Sequence, residues 1–232
     1  MKKLIIIPAY NEEESILQTV ASIQKDLPDF DYVVINDCST DNTNDLLCQK
    51  KINHINLPVN LGIGGAVQTG FLYAQKNNYD MAVQVDGDGQ HDVHYLPLLV
   101  AAMLNDQADM VIGSRFIKKT GFQSSLARRI GIRYFSWLIC LLTKQKITDP
   151  TSGFRLINKE TIKLFACDYP RDYPEPESIV YLLRKKKKIR EVPVKMKERQ
   201  GGISSIHLGN SIYYMIKVTM AILIEMARKY GA

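Results

Sequence analysis

The sequence lacks the devices that mark several common classes of protein. Its four cysteines, Cys38, Cys48, Cys140 and Cys167, form no CxxC pair and have no histidine at zinc-ligand spacing. They indicate neither a zinc module nor a disulfide framework, and read as ordinary buried thiols of a reducing compartment. No export signal is visible: Lys2 and Lys3 precede an apolar run of only Leu4 to Ile7, which Pro8 stops. The long apolar stretch from Ile206 to Ala227 is interrupted by Lys217 and Glu225, which makes it a poor membrane span. Familiar phosphate and nucleophile signatures are missing as well. There is no Gly-Lys pair for a P-loop and no GxSxG elbow, and Gly62-Ile63-Gly64 has Val67 where a dinucleotide fingerprint needs its third glycine.

What is present is the composition of an ordinary globular domain. Hydrophobic residues make up 46% and charged residues 23% of the 232 positions, a length that fits one α/β unit. The net charge of +6 suits an anionic substrate, an anionic membrane or nucleic acid equally, so it decides nothing alone. Short β-rich runs at Leu4–Ile7, Tyr32–Ile35, Ile52–Ile55, Met81–Val85 and Met110–Ile112 predict strands covered on both faces. Between them, Glu12–Lys25, Gly64–Lys76 and Tyr95–Leu104 carry apolar residues at helical spacing. The alternation predicts an α/β fold with a mostly parallel sheet and helices on both faces, whose ligands bind at the carboxyl ends of the strands.

Those ends are polar, acidic and glycine-rich. Pro8-Ala9-Tyr10-Asn11-Glu12 follows the first run, Asn36 to Thr43 the second, Asp86-Gly87-Asp88-Gly89-Gln90-His91 the fourth and Gly113-Ser114-Arg115 the fifth. Any one of them suits a turn or a helix cap; four together predict a site. Asp86 and Asp88, two residues apart on an irregular segment, can both reach one hard divalent cation, with Gln90 as a further oxygen donor. A calcium EF-hand is excluded, because its sixth and twelfth positions would be His91 and Pro97. His91 reads as a capping or supporting residue rather than a ligand. Asn60-Leu61-Gly62-Ile63-Gly64-Gly65 opens a helix, with close packing and capping as its first reading.

With Asp149-Pro150-Thr151-Ser152-Gly153-Phe154-Arg155, these segments stand in the order found in family 2 glycosyltransferases. Residues 1 to about 205 most resemble the branch of dolichol-phosphate mannosyltransferases and polyprenyl-phosphate glycosyltransferases. The resemblance implies a GT-A (Rossmann-like) fold, a nucleotide-sugar donor, Mn2+ or Mg2+, and inversion at the anomeric carbon. It places Pro8, Tyr10, Glu12 and Asp37 around the nucleoside, Asp86 toward the sugar, and Asp88 and Gln90 on the metal. Arg115 and the Arg128–Arg129 pair match positions that meet anionic acceptor or diphosphate groups, and Arg199 a late loop closing over the donor. Asn36 departs from the pattern, since many relatives have a second aspartate there.

Charge then shapes the expected chemistry. A metal bridging the phosphates offsets the charge of a departing nucleoside diphosphate, and arginines bind phosphate in bidentate geometry. Asp37 can accept from the imide N–H of uracil, which favours a UDP-sugar. The acceptor stays open between a polyprenyl phosphate, already ionised, and a glycan hydroxyl, which needs a general base. A catalytically silent sugar-nucleotide sensor is a third reading, disfavoured by the complete Asp86, Asp88 and Gln90 set. Asp149 is the candidate carboxylate at the reacting centre, or equally a cap before Pro150. Glu175 and Glu177 read as first-turn helix residues. The chain divides into a catalytic domain, 1–205, and an amphipathic helix, 206–232, suited to a membrane surface, an oligomer contact or a cover for the sheet. With the basic run Arg184–Lys188, that helix suggests a peripheral place at the cytoplasmic membrane face, with a small membrane protein or a second copy as possible partners. Nucleic acid has no role in this reading.

Overall fold

The structure, a computed structural model, describes residues 1–118, 126–197 and 208–228. Seven strands form one sheet: β1 (Lys3–Ala9), β2 (Asp31–Asn36), β3 (His54–Asn56), β4 (Met81–Gln84), β5 (Met110–Ser114), β6 (Arg155–Asn158) and β7 (Ile189–Pro193). Their order is β3-β2-β1-β4-β6-β5-β7. Neighbouring pairs are parallel except those of β6, which is antiparallel to both β4 and β5.

Successive side chains of a strand face opposite sides of the sheet, and the central strands are apolar on both. In β1, Leu4 and Ile6 join one core while Ile5 and Ile7 join the other, all fully buried. Helices α1 (Ile16–Asp26), α2 (Thr43–Gln49) and α4 (Leu96–Asp106) cover the second core. Helices α3 (Gly62–Lys76), α5 (Leu126–Thr143), α6 (Lys159–Cys167), α7 (Pro174–Arg184) and α8 (Leu208–Ala227) supply the first. The three-layer α/β architecture expected from the alternating pattern is therefore present.

Three details depart from the expectation or refine it. Strand β6 carries the antiparallel direction, so the loop before it, Asp149 to Phe154, lands on the same edge as the carboxyl ends of its neighbours. Helix α8 packs its Val218 and Ile222 into the first core, so one face of the carboxyl-terminal helix covers the domain; the 205/206 boundary itself lies outside the described residues. The cysteines are not buried: Cys48 and Cys167 are exposed and the other two half-buried.

The start of α3 is packed as the glycine-rich segment suggests. Gly64 donates its N–H to Arg171 O at 3.0 Å. A β-carbon there would sit 2.2 Å from the Arg171 and Pro170 carbonyls, so only glycine fits.

Candidate active site

The acidic loop leaves β4 and closes on itself within seven residues. Gly89 takes a left-handed φ of 74°, which lets the Gln90 N–H return to Asp88 Oδ1 at 3.0 Å. Thr19 of α1 donates to Gly87 O at 3.1 Å and pins the loop to the helix layer. Asp86 is oriented from two sides: Gln84 Nε2 donates to its Oδ1 at 2.9 Å, and His91 Nε2 lies 3.5 Å from its Oδ2. His91 Nδ1 accepts the Asp86 backbone N–H at 3.0 Å, so the ring proton belongs on Nε2, facing that carboxylate. The ring stacks on Phe154 at 5.0 Å. His91 is thus a support beneath Asp86, as its capping role implied.

Across from this loop stand Arg115 and Asp149, 34 positions apart in sequence. Asp149 is fully buried and accepts from the Arg115 backbone N–H (3.1 Å), Nε (2.7 Å) and Nη2 (2.7 Å). Arg115 Nη2 also reaches Thr151 Oγ1 at 3.0 Å. Glu191 of β7 holds the other side of the loop, accepting from Thr148 N (2.7 Å), Thr148 Oγ1 (2.9 Å) and Asp149 N (2.9 Å). Burial pushes the Glu191 pKa up, and those three donors pull it back. Buried Arg155 ties the same loop to α7 by donating to Pro150 O, Ser152 O, Glu175 O and Ser178 Oγ.

Between the two walls lies a pocket of about 50 Å³, lined by Asp86, Gln90 and His91 on one side, Arg115 and Arg128 on another, and Thr151 to Gly153 below. That is room for a group of a few heavy atoms. The surrounding protein, and after it the Arg115 cation, push the Arg128 pKa down. An arginine stays charged regardless, so the pocket is lined by two neighbouring guanidiniums, of which Arg115 is paired with Asp149. Arg129 does not line the pocket, because adjacent helical residues project about 100° apart. Asp149 does not line it either; its carboxylate is spent on Arg115.

Of the expected nucleoside residues, Asp37 follows β2, two strand spacings or some 10 Å from β4 along the same edge, while Pro8 and Glu12 belong to the neighbouring β1 end and approach Gly87. Pro8 is buried within β1, Tyr10 is exposed, and Glu12 accepts from Ser15 Oγ at 2.8 Å. Asp37 Oδ1 accepts the Leu61 N–H at 2.7 Å, tying the end of β2 to the start of α3. Burial raises the Asp37 pKa, with the N–H groups of Leu61 and Gly62 opposing it. Asn36 is internal: it accepts from Ser39 Oγ at 2.6 Å and donates to Asn56 at 2.8 Å. Arg199 lies outside the described residues. The chain leading to it passes the acidic loop, with Lys197 N donating to Gln90 O at 2.9 Å.

Sequence reasoning overlooked Glu191 and Gln84, and named Arg155 only as the end of the motif that starts at Asp149. The signal available for each was a polar residue inside or beside a short apolar run, Gln84 at the end of β4 and Glu191 within β7.

A mostly parallel sheet with an acidic DGD loop at its carboxyl edge, faced by arginines, defines a GT-A-type glycosyltransferase domain. Residues 4–165 match the sequence model of glycosyl transferase family 2, and the chain belongs to that family. It is 28% identical over 235 aligned positions to a UDP-N-acetylglucosamine–dolichyl-phosphate N-acetylglucosaminyltransferase of Methanococcus voltae, covering 91% of this chain and 93% of the relative. It is 30% identical to an undecaprenyl-phosphate mannosyltransferase of Micrococcus luteus, covering 90% and 89%. A glucosyl-3-phosphoglycerate synthase from Mycobacterium tuberculosis, solved with Mn2+, UDP and glucosyl-3-phosphoglycerate, shares the fold at a TM-score of 0.76 and 18% identity, over 99% of this chain and 81% of that one. The chain is therefore a glycosyltransferase.

Proposed function

We propose that this enzyme transfers a sugar, with inversion, from a UDP-sugar to a polyprenyl phosphate. The observation that carries the reading is the small pocket where Arg115 and Arg128 face Asp86 while Asp149 is already committed to Arg115. An acceptor with a hydroxyl nucleophile needs a free base there. A phosphate monoester needs cations and orientation, since its second ionisation falls near pH 6. The two relatives act, by their names, on dolichyl phosphate and undecaprenyl phosphate, which supports the same acceptor class.

The proposed roles combine the geometry of the pocket with the family resemblance. Arg128 and Arg115 hold the acceptor phosphate, with Asp149 and Glu191 fixing the Arg115 guanidinium. Asp86, steadied by Gln84 and His91, orients the sugar from the pocket wall. By the family resemblance, Pro8, Tyr10, Glu12 and Asp37 would meet the uridine and Arg199 the diphosphate. Asp88 and the carbonyl oxygen of Gln90 would hold a hard divalent ion, Mn2+ or Mg2+, together with substrate phosphates. When bound, that ion would offset the negative charge gathering on the leaving diphosphate. The acceptor phosphate oxygen attacks the anomeric carbon as the bond to UDP breaks, which inverts that carbon. A membrane-borne acceptor places the enzyme peripherally at the cytoplasmic leaflet. Among the described residues no helix is long and apolar enough to cross a membrane.

Two variants test the assignment. Arg128→Ala is expected to remove transfer to undecaprenyl phosphate while leaving UDP-sugar affinity within about twofold, measured by calorimetry. Transfer to a soluble glycan without lipid, insensitive to Arg128→Ala, would replace this reading with the glycan-extending one. Asp88→Asn should abolish the Mn2+ dependence of UDP binding with the fold intact by circular dichroism. Unchanged affinity would remove Asp88 from the metal site, and tighter binding of GDP than UDP would overturn the uridine assignment.

A further inference from the structure

Helix α2 ends in a turn that carries the chain back beside its own last residues. Lys51 takes a left-handed φ of 52°; its N–H donates to Cys48 O at 3.1 Å, and the Ile52 N–H donates to Leu47 O at 3.0 Å. This pair of bonds is a Schellman cap, which ends a helix and reverses the chain. Strand β3 then starts at His54, whose ring lies next to a side chain six positions earlier: Cys48 Sγ is 3.7 Å from His54 Nε2.

The neighbours of that ring fix where its proton sits. Nδ1 stands 2.7 Å from Ile52 O, a carbonyl that can only accept, so the proton belongs on Nδ1. Nε2 is then a bare lone pair on which two donors converge, the Cys48 thiol and, at 3.3 Å, the Asn56 amide. Asn56 is oriented in turn, because its Oδ1 accepts from Asn36 Nδ2 at 2.8 Å and its own NH2 therefore faces the ring. The other acceptor near the thiol, Asn44 Oδ1, is farther away at 4.0 Å. A thiol beside a base, with the base held by a third group, is the arrangement that activates a sulfur nucleophile. Exposure completes it. Cys48 is exposed, whereas Cys38, with Sγ 3.9 Å from Pro58 O, and Cys140 are half-buried. Cys167 is exposed too, but has no histidine contact among the described residues.

We infer that Cys48 and His54 form a thiol-modification site, separate from the pocket at Asp86, whose co-reactant is a small disulfide. His54 Nε2 takes the proton of Cys48, and the thiolate attacks one sulfur of the disulfide. A new S–S bond forms as the old one breaks, and the departing sulfur leaves with the bonding pair and takes up the proton from His54. Cys48 is thereby oxidised to a mixed disulfide, and one half of the co-reactant is reduced to a free thiol. The last turn of α2 works against a thiolate, since the negative end of a helix disfavours an anion. The histidine lone pair offsets that by removing the proton, which is why reactivity here depends on His54 and not on exposure alone.

The test uses the full chain and dithiodipyridine, an uncharged disulfide whose released thiopyridone is followed by absorbance, with peptide mass spectrometry to locate each adduct. Cys48 should carry the first adduct and react roughly tenfold or more faster than Cys167, the other exposed thiol. Cys48→Ser should remove the fast phase. His54→Gln takes away the basic lone pair and should bring Cys48 down to about the rate of Cys167. The Cys167 rate itself should not change in that variant, which serves as the check on its fold. A first adduct at any other cysteine overturns the site. So do equal rates at Cys48 and Cys167 in the native chain, a comparison that stands whether or not His54→Gln folds. An undiminished Cys48 rate in a folded His54→Gln overturns it as well, since the thiol would then react through exposure alone.

Discussion

Glu191 accepts three hydrogen bonds from Thr148 and Asp149, residues 42 and 43 positions away, and through them fixes the carboxylate that fixes Arg115. Its removal leaves those donors without acceptors in a half-buried place, a loss of about 1–3 kcal/mol. Glu191→Ala is therefore expected to lower the unfolding midpoint by several degrees, at about 2–4 °C per kcal/mol for a chain of this size. It should also raise the KM for the acceptor more than that for the donor, because Arg115 loses its fixed direction. Steady-state kinetics on the folded variant would check it, and equal effects on both substrates would mean that the residue serves the fold alone. At this scale the sequence was readable where chemistry is local. Asp86, Asp88 and His91 lie within six positions, and their loop geometry follows from Gly87 and Gly89. Asp149 was not, because its partner lies 34 positions upstream and nothing near it announces a buried ion pair.

Among the elements, the joint between β5, β6 and β7 depends on Asp109, just before β5. Its carboxylate accepts from the Lys188 N–H (2.8 Å), Asn158 Nδ2 (3.0 Å) and Lys187 Nζ (3.2 Å). Burial raises its pKa, but these donors together outweigh burial and hold it below the ordinary carboxylate value. A carboxyl depressed on folding contributes stability above its unfolded pKa and loses it as pH falls through the folded one. Thermal stability should therefore drop below about pH 4 in the native chain and drop less steeply in Asp109→Asn, as scanning calorimetry across pH 3 to 6 would record. Identical slopes would remove Asp109 from the acid response. The periodic elements, β1, β2, β4, β5, α3 and α4, were visible as apolar runs and helical spacing. Strand β6 was missed because its four residues, Arg155–Asn158, follow a polar loop with too few positions to show a period.

For the whole molecule, α8 is the element whose role composition left most open. Ile222 is fully buried and Val218 nearly so within the core that α3, α5, α6 and α7 share. Ile222→Ala should then cost about 2–5 kcal/mol and shift a single cooperative transition. A separate low-temperature transition would show instead that the helix unfolds as an independent unit. The same helix turns an apolar face outward, so it is at once part of the core and part of a surface.

The sequence by itself determined the layered α/β class, the strand-end edge on which the candidate site lies and the family. Those follow from periodicity, from turn chemistry and from motifs whose residues are close neighbours in the chain. Tertiary structure alone decided that β6 runs against its neighbours and delivers Asp149 beneath Arg115, that Arg128 rather than Arg129 enters the pocket, and that the lysine run stands at the far edge of the sheet. Each of these depends on which distant segments pack together. Local propensity carries no information about a contact between residues tens of positions apart, and only burial of the shared core selects it.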